Sequence, residues 1–178
     1  EAVRDLLNNR DGLMLGICNG FQALIKLGLV PYGDIVPMTA ECPTLTFNTI
    51  GRHQSRLVRT RVASNLSPWL AKTEVGDMHT IAISHGEGRF VASDDVLAQL
   101  KANGQIATQY VDEAGVPGMD LDVNPNGSLL AIEGITSPDG RVFGKMGHSE
   151  RYSNGTFKNV PGEKDQPLFA AGVEYFTA

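Results

Sequence analysis

The sequence predicts a three-layer α/β domain with a largely parallel sheet, and three observations carry that expectation. Helix-type and strand-type hydrophobic spacings alternate along the chain. A short apolar run enters a glycine-bracketed turn that opens into a helix, and a second apolar helical segment closes the chain. At 178 residues the chain fits one domain, with no internal repeat, so a single unit over 1–178 is expected.

Residues 1–9 place Val3, Leu6 and Leu7 at helical spacing, and Asp11-Gly12 supplies a turn before the apolar run 13–17, which reads as a buried strand. After Cys18, residues 20–27 put Phe21, Leu24, Ile25 and Leu27 on one helical face, and Gly28 is placed to end that helix. From 35 to about 90 the pattern changes to short β-type runs, such as 57–62 and 79–84, broken by Pro and Gly. Residues 94–102 read as a helix with Val96, Leu97 and Leu100 inward, followed by strands at 105–110, 129–135 and 141–146. The last strand runs into Gly147-His148-Ser149-Glu150-Arg151. Residues 166–175, with Leu168, Phe169, Val173 and Tyr175, predict a closing helix docked on the sheet, and Trp69 is expected as a packing anchor.

Composition excludes several classes of function. Hydrophobic residues make up 42% and charged residues 20%, as in ordinary globular proteins, and the net charge is −5. The 15 Lys and Arg residues are scattered, apart from a loose group at Arg52, Arg56, Arg59 and Arg61, so no nucleic-acid partner is expected. Only Cys18 and Cys42 are present, too few for a secreted disulfide framework, which points to a reducing cytoplasm. No apolar run approaches the roughly 20 residues that cross a bilayer, and no membrane association is expected.

The strongest local signal is Gly16-Ile17-Cys18-Asn19-Gly20 between a buried strand and a helix, the setting of a nucleophile elbow. A turn that lifts one side chain above a sheet crowds its neighbours, so residues lacking a Cβ are expected on both sides of Cys18. The helix start also places unpaired N–H groups and the positive end of the dipole at the sulfur, which favours the thiolate. A thiolate attacking an amide needs an acid for the leaving nitrogen. His148, in a loop at a strand end, is the candidate, and Glu150 two residues on would orient its ring from the same side of an extended segment.

Other segments carry weaker signals. Ser84 to Phe90, with His85 and Glu87 among glycines, reads by itself as a plain hairpin turn; it has neither the ligands for zinc nor a phosphate-loop lysine. Asn124 to Ser128 contains the turn signal Asn126-Gly127 and reads as structural. Cys42 has no glycine bracket and reads as an ordinary half-buried residue.

In order, GICNGFQ, SHGEGRF, NPNGS and GHSER resemble the glutaminase domains of phosphoribosylformylglycinamidine synthases, within the class I, triad-type glutamine amidotransferases. The resemblance implies a flavodoxin-like three-layer fold and a Cys18-His148-Glu150 triad that hydrolyses glutamine through a thioester. It further implies an oxyanion donor at the Asn19 N–H, glutamine contacts at Gln22, a loop with His85 and Glu87 near the Cys18 site and the synthetase interface, and binding of the substrate's α-amino and carboxylate ends near Ser55 and Arg56. It implies no cofactor in this chain: ATP and magnesium belong to a partner synthetase domain, expected on the same polypeptide, which uses the ammonia to convert formylglycinamide ribonucleotide to the amidine.

Two departures from the family pattern bear on these expectations. Ser149 stands where the family usually has proline, which is expected to loosen the loop. Family domains begin several tens of residues earlier, with a first strand and a glycine-rich loop carrying the second oxyanion donor, so an N-terminally truncated domain with weak or absent activity in isolation is expected. Competing functions are a cysteine hydrolase or peptidase on a similar elbow, and a non-catalytic docking module.

Overall fold

The computed structural model describes residues 1–177. α1 (Ala2–Asn8), β1 (Met14–Ile17), α2 (Asn19–Leu27) and a short α3 (Leu29–Tyr32) come first. Then follow β2 (Thr44–Thr46), β3 (Gln54–Val62), β4 (Met78–His85), β5 (Arg89–Val91) and α4 (Asp94–Ala102). β6 (Ile106–Tyr110), β7 (Ile132–Thr136), β8 (Val142–Lys145) and α5 (Leu168–Tyr175) complete the fold.

Six strands form the main sheet in the order β1-β8-β7-β6-β3-β4, while β2 and β5 make a separate antiparallel pair. The sheet is not largely parallel, as the alternation of elements suggested: β1 and β8 pair in parallel, and every other neighbouring pair in the sheet is antiparallel. Connection length explains the difference. β7 and β8 are joined by a tight turn in which Ser137 N–H donates to the Val142 carbonyl at 2.9 Å, whereas a parallel pairing needs a crossover of about a dozen residues or more.

The three layers are present. On one face Phe21, Leu24 and Ile25 of α2 pack with Leu7, Leu29, Leu100, Ile135 and Val142. On the other, Leu15 and Phe143 meet Leu70, Leu168 and Trp69, so that α5 and the 3-10 turn Pro68–Leu70 form the third layer. Alternation along β1 and β8 sends successive side chains to opposite layers. Leu27 does not join the buried stripe and is 41% exposed, because it lies about 200° around the helix from Ile25. The strand expected over 129–135 begins at Ile132, since Leu130 and Ala131 hold φ of 52° and 54°, which an extended strand cannot accommodate.

The sheet curls until its two ends meet. His148, just beyond β8, forms an isolated antiparallel bridge with Ala82 of β4, its N–H donating to the Ala82 carbonyl at 2.8 Å. Cys18, just beyond β1, lies 3.7 Å from the Ser84 carbonyl on the same strand. One strand therefore gathers both residues that the sequence singled out.

Candidate active site

Cys18 is the N-cap of α2, with φ 54° and ψ −106°, a conformation that costs a non-glycine residue about 1–3 kcal/mol. Two hydrogen bonds hold it there: its N–H donates to the Lys145 carbonyl at 2.8 Å, and its own carbonyl accepts the Gln22 N–H at 3.1 Å. Gly16 is required by its surroundings, because a Cβ there would sit 2.5 Å from Leu24 Cδ1 and 2.7 Å from the Gly20 carbonyl. The expected need for a second glycine does not hold, since a Cβ on Gly20 would meet nothing within 4 Å.

Burial is the largest influence on the Cys18 thiol and raises its pKa above the ordinary cysteine value; the Asn19 backbone N–H and Arg151 pull it down, and Glu150 pushes it up. The helix-end effect expected from the sequence is thus outweighed by desolvation. Cys18 Sγ lies 3.7 Å from the Ser84 carbonyl, to which its thiol donates, and the thiol proton needs an acceptor before attack.

His148 caps the 3-10 turn Ser149–Arg151. Its Nδ1 lies 2.6 Å from Glu150 Oε1, while its Nε2 is buried with no hydrogen-bond partner among the described residues. The two side chains meet across a turn rather than along an extended segment. Ser149 does not loosen this loop: its hydroxyl accepts from Lys145 Nζ at 2.9 Å and donates to Gln166 Oε1 at 2.7 Å. An open cleft of about 540 Å³, lined by Leu13, Leu15, Ile17, Trp69 and Phe169, reaches His148 and Glu150.

The segment from Ser84 to Phe90 folds over α2. Gln22 Nε2 donates to the Glu87 carbonyl at 2.7 Å, while the Glu87 side chain is exposed. His85 is buried, and burial pulls its pKa down to about 4. Asn126 lies against it and anchors the loop, its Nδ2 3.2 Å from His85 Nε2 and donating to the Gly88 carbonyl at 2.8 Å. The segment Asn124 to Ser128 is therefore the buried scaffold of this loop. Ser55 and Arg56 lie farther off. Ser55 pairs with Ser84 one strand beyond Cys18, and the Arg56 guanidinium is turned onto the Leu121 and Asp122 carbonyls at 3.4 and 2.6 Å.

Among the described residues no group of three or more His, Cys, Asp or Glu side chains is placed to hold a metal ion, and no helix is long and apolar enough to cross a membrane. Sequence reading missed Glu133 and Lys145, both fully buried beneath the His148 loop. Their signal was a charge inside each of two otherwise apolar runs.

A cysteine held at a strand-to-helix elbow, with a carboxylate-bound histidine bridged to the same strand β4, fits proteins that use a cysteine nucleophile. The chain belongs to the CobB/CobQ-like glutamine amidotransferase domain family, whose match covers residues 1–176. It is 39% identical over 153 residues to the phosphoribosylformylglycinamidine synthase subunit PurQ of Aquifex aeolicus, covering 86% of this chain and 61% of that protein. With the same subunit of Symbiobacterium thermophilum the identity is 36% over 179 residues, covering 99% of this chain and 68% of the relative. A chain in the structure of PurLQS from Thermotoga maritima is similar at a TM-score of 0.70 and 30% identity, covering 99% of this chain and 66% of that one. The three-layer class I glutamine amidotransferase fold is the one observed. The chain spans roughly two thirds of the length of these relatives.

Proposed function

We propose that this chain is the glutaminase part of a phosphoribosylformylglycinamidine synthase. The observation that carries the reading is strand β4, which accepts the His148 N–H at Ala82 and the Cys18 Sγ at Ser84, with His148 Nδ1 2.6 Å from Glu150 Oε1 and Nε2 buried without a partner among the described residues. Cys18 passes its proton to Nε2 and attacks the glutamine carboxamide carbon; Asn19 N–H stabilises the oxyanion. As the C–N bond breaks, His148 returns the proton to the leaving nitrogen and ammonia departs, leaving a thioester on Cys18. Water, deprotonated by His148, then cleaves the C–S bond, releasing glutamate and restoring the thiol. Glu150 fixes the ring and stabilises the imidazolium at both steps.

Gln22, tied to the loop over α2, contacts glutamine in this reading, as do Ser55 and Arg56. The names of the relatives support a synthetase partner, proposed to lie on the same polypeptide and to hold ATP and magnesium. It uses the ammonia to convert formylglycinamide ribonucleotide to the amidine in cytoplasmic purine synthesis. An oxyanion donor is worth about two to three orders of magnitude in kcat, and the Asn19 N–H is the donor proposed for this site. Glutamate release by the full-length protein tests the reading. Cys18→Ser abolishes it and Cys42→Ser leaves it intact; activity surviving in Cys18→Ser contradicts it.

A further inference from the structure

Lys145 and Glu133 place two charges in the interior, each side chain 0% exposed, with Nζ 3.4 Å from Oε1. The reaction above uses neither. Their hydrogen bonds converge on the residues flanking His148. Lys145 Nζ donates to the Gly147 carbonyl at 3.0 Å and to Ser149 Oγ at 2.9 Å, and Glu133 Oε1 accepts the Gly147 N–H at 2.5 Å. The Thr108 hydroxyl secures Glu133 Oε2, and Gln166 secures Ser149 from the far side. The backbone of Lys145 holds the other half of the site, because its carbonyl accepts the Cys18 N–H at 2.8 Å.

A buried ion pair seldom stabilises a fold more than apolar side chains of the same volume, so folding energy gives little reason for these charges. Geometry around His148 gives one. We infer that Lys145 and Glu133 are positioning residues, a buried bracket that sets the His148 loop relative to Cys18, with Ser149 and Gln166 as its outer tie. The inference rests on the glutaminase reading above.

The test is steady-state glutamine hydrolysis by the full-length protein carrying Glu133→Gln together with Lys145→Met. This neutral pair of substitutions keeps an acceptor for the Gly147 N–H and removes both lysine donors without stranding a buried charge. The expected result is a folded protein with an unchanged KM for glutamine and a kcat lower by about 100-fold, as misplacing a reacting group by about 1 Å produces. Ser149→Ala, which leaves the ion pair in place, is expected to lower kcat by about tenfold, again without a change in KM. An unchanged kcat in the folded double variant overturns the inference. If that variant does not fold, an unchanged kcat in Ser149→Ala overturns it. Wild-type protein that fails to hydrolyse glutamine sinks the glutaminase reading instead, which separates the two failures.

Discussion

Gly16 and Gly20 stand on opposite sides of the Cys18 turn, and a Cβ on Gly16 would lie 2.7 Å from the Gly20 carbonyl, while one on Gly20 would face open space. The two glycines look equivalent in sequence, yet their substitution is predicted to act in opposite directions. Gly16→Ala forces α2 away from β1 and is expected to cost about 1–3 kcal/mol in urea unfolding. Gly20→Ala is expected to raise stability by up to about 1 kcal/mol, because alanine is the better helix residue. Equal losses in both variants would contradict this account of the elbow.

Much of this site is legible in the sequence because its parts are local. The Gly16-Ile17-Cys18 turn, the α2 face of Phe21, Leu24 and Ile25, and the His148-Glu150 pair each depend on residues a few positions apart. Strand pairing is not local. That β1 and β8 are parallel while β7 and β8 are antiparallel follows from connection lengths and from the curl that brings His148 to Ala82. The surroundings of Cys18 divide in the same way: the helix start that favours the thiolate is visible in the sequence, but the burial that opposes it is not. Lys145 and Glu133 were visible as charges in apolar runs, and only the fold shows them paired.

Glu150 holds His148 Nδ1 at 2.6 Å from a side chain that is 40% exposed, so the carboxylate is replaceable without unfolding the loop. Glu150→Gln keeps a hydrogen-bonding group but removes the charge that stabilises the imidazolium. A kcat lower by about 10²-fold with little change in KM is expected. Wild-type kcat in this variant would exclude Glu150 from the triad.

Gln22 donates to the Glu87 carbonyl at 2.7 Å and so links the nucleophile helix to the loop above it. Gln22→Ala is predicted to raise the KM for glutamine by about tenfold, the loss of one hydrogen bond to a charged or polar substrate. A cysteine hydrolase of different specificity would leave cleavage of a simple thiol-reactive ester unchanged and show no glutamine dependence at all.

Stability is predicted to fall on mild acidification. Burial lowers the His85 pKa to about 4, and His79 is shifted in the same direction by the same cause. The unfolded chain therefore binds protons that the folded protein refuses, and stability is lost as the pH drops from the unfolded histidine value of about 6.5 towards 4. For His85 the loss between pH 7 and pH 5 amounts to about 2 kcal/mol. Urea midpoints measured at the two values check it, and His85→Gln should flatten the dependence.

The central claim is that Cys18 is the nucleophile of a glutamine site. It is tested most directly by treating the full-length protein with a diazo-ketone analogue of glutamine and mapping the adduct by peptide mass spectrometry, with and without competing glutamine. The account predicts modification at Cys18 and not at Cys42, blocked by glutamine and lost in His148→Ala. Equal labelling of both cysteines, or labelling of Cys18 that glutamine does not block, would contradict it.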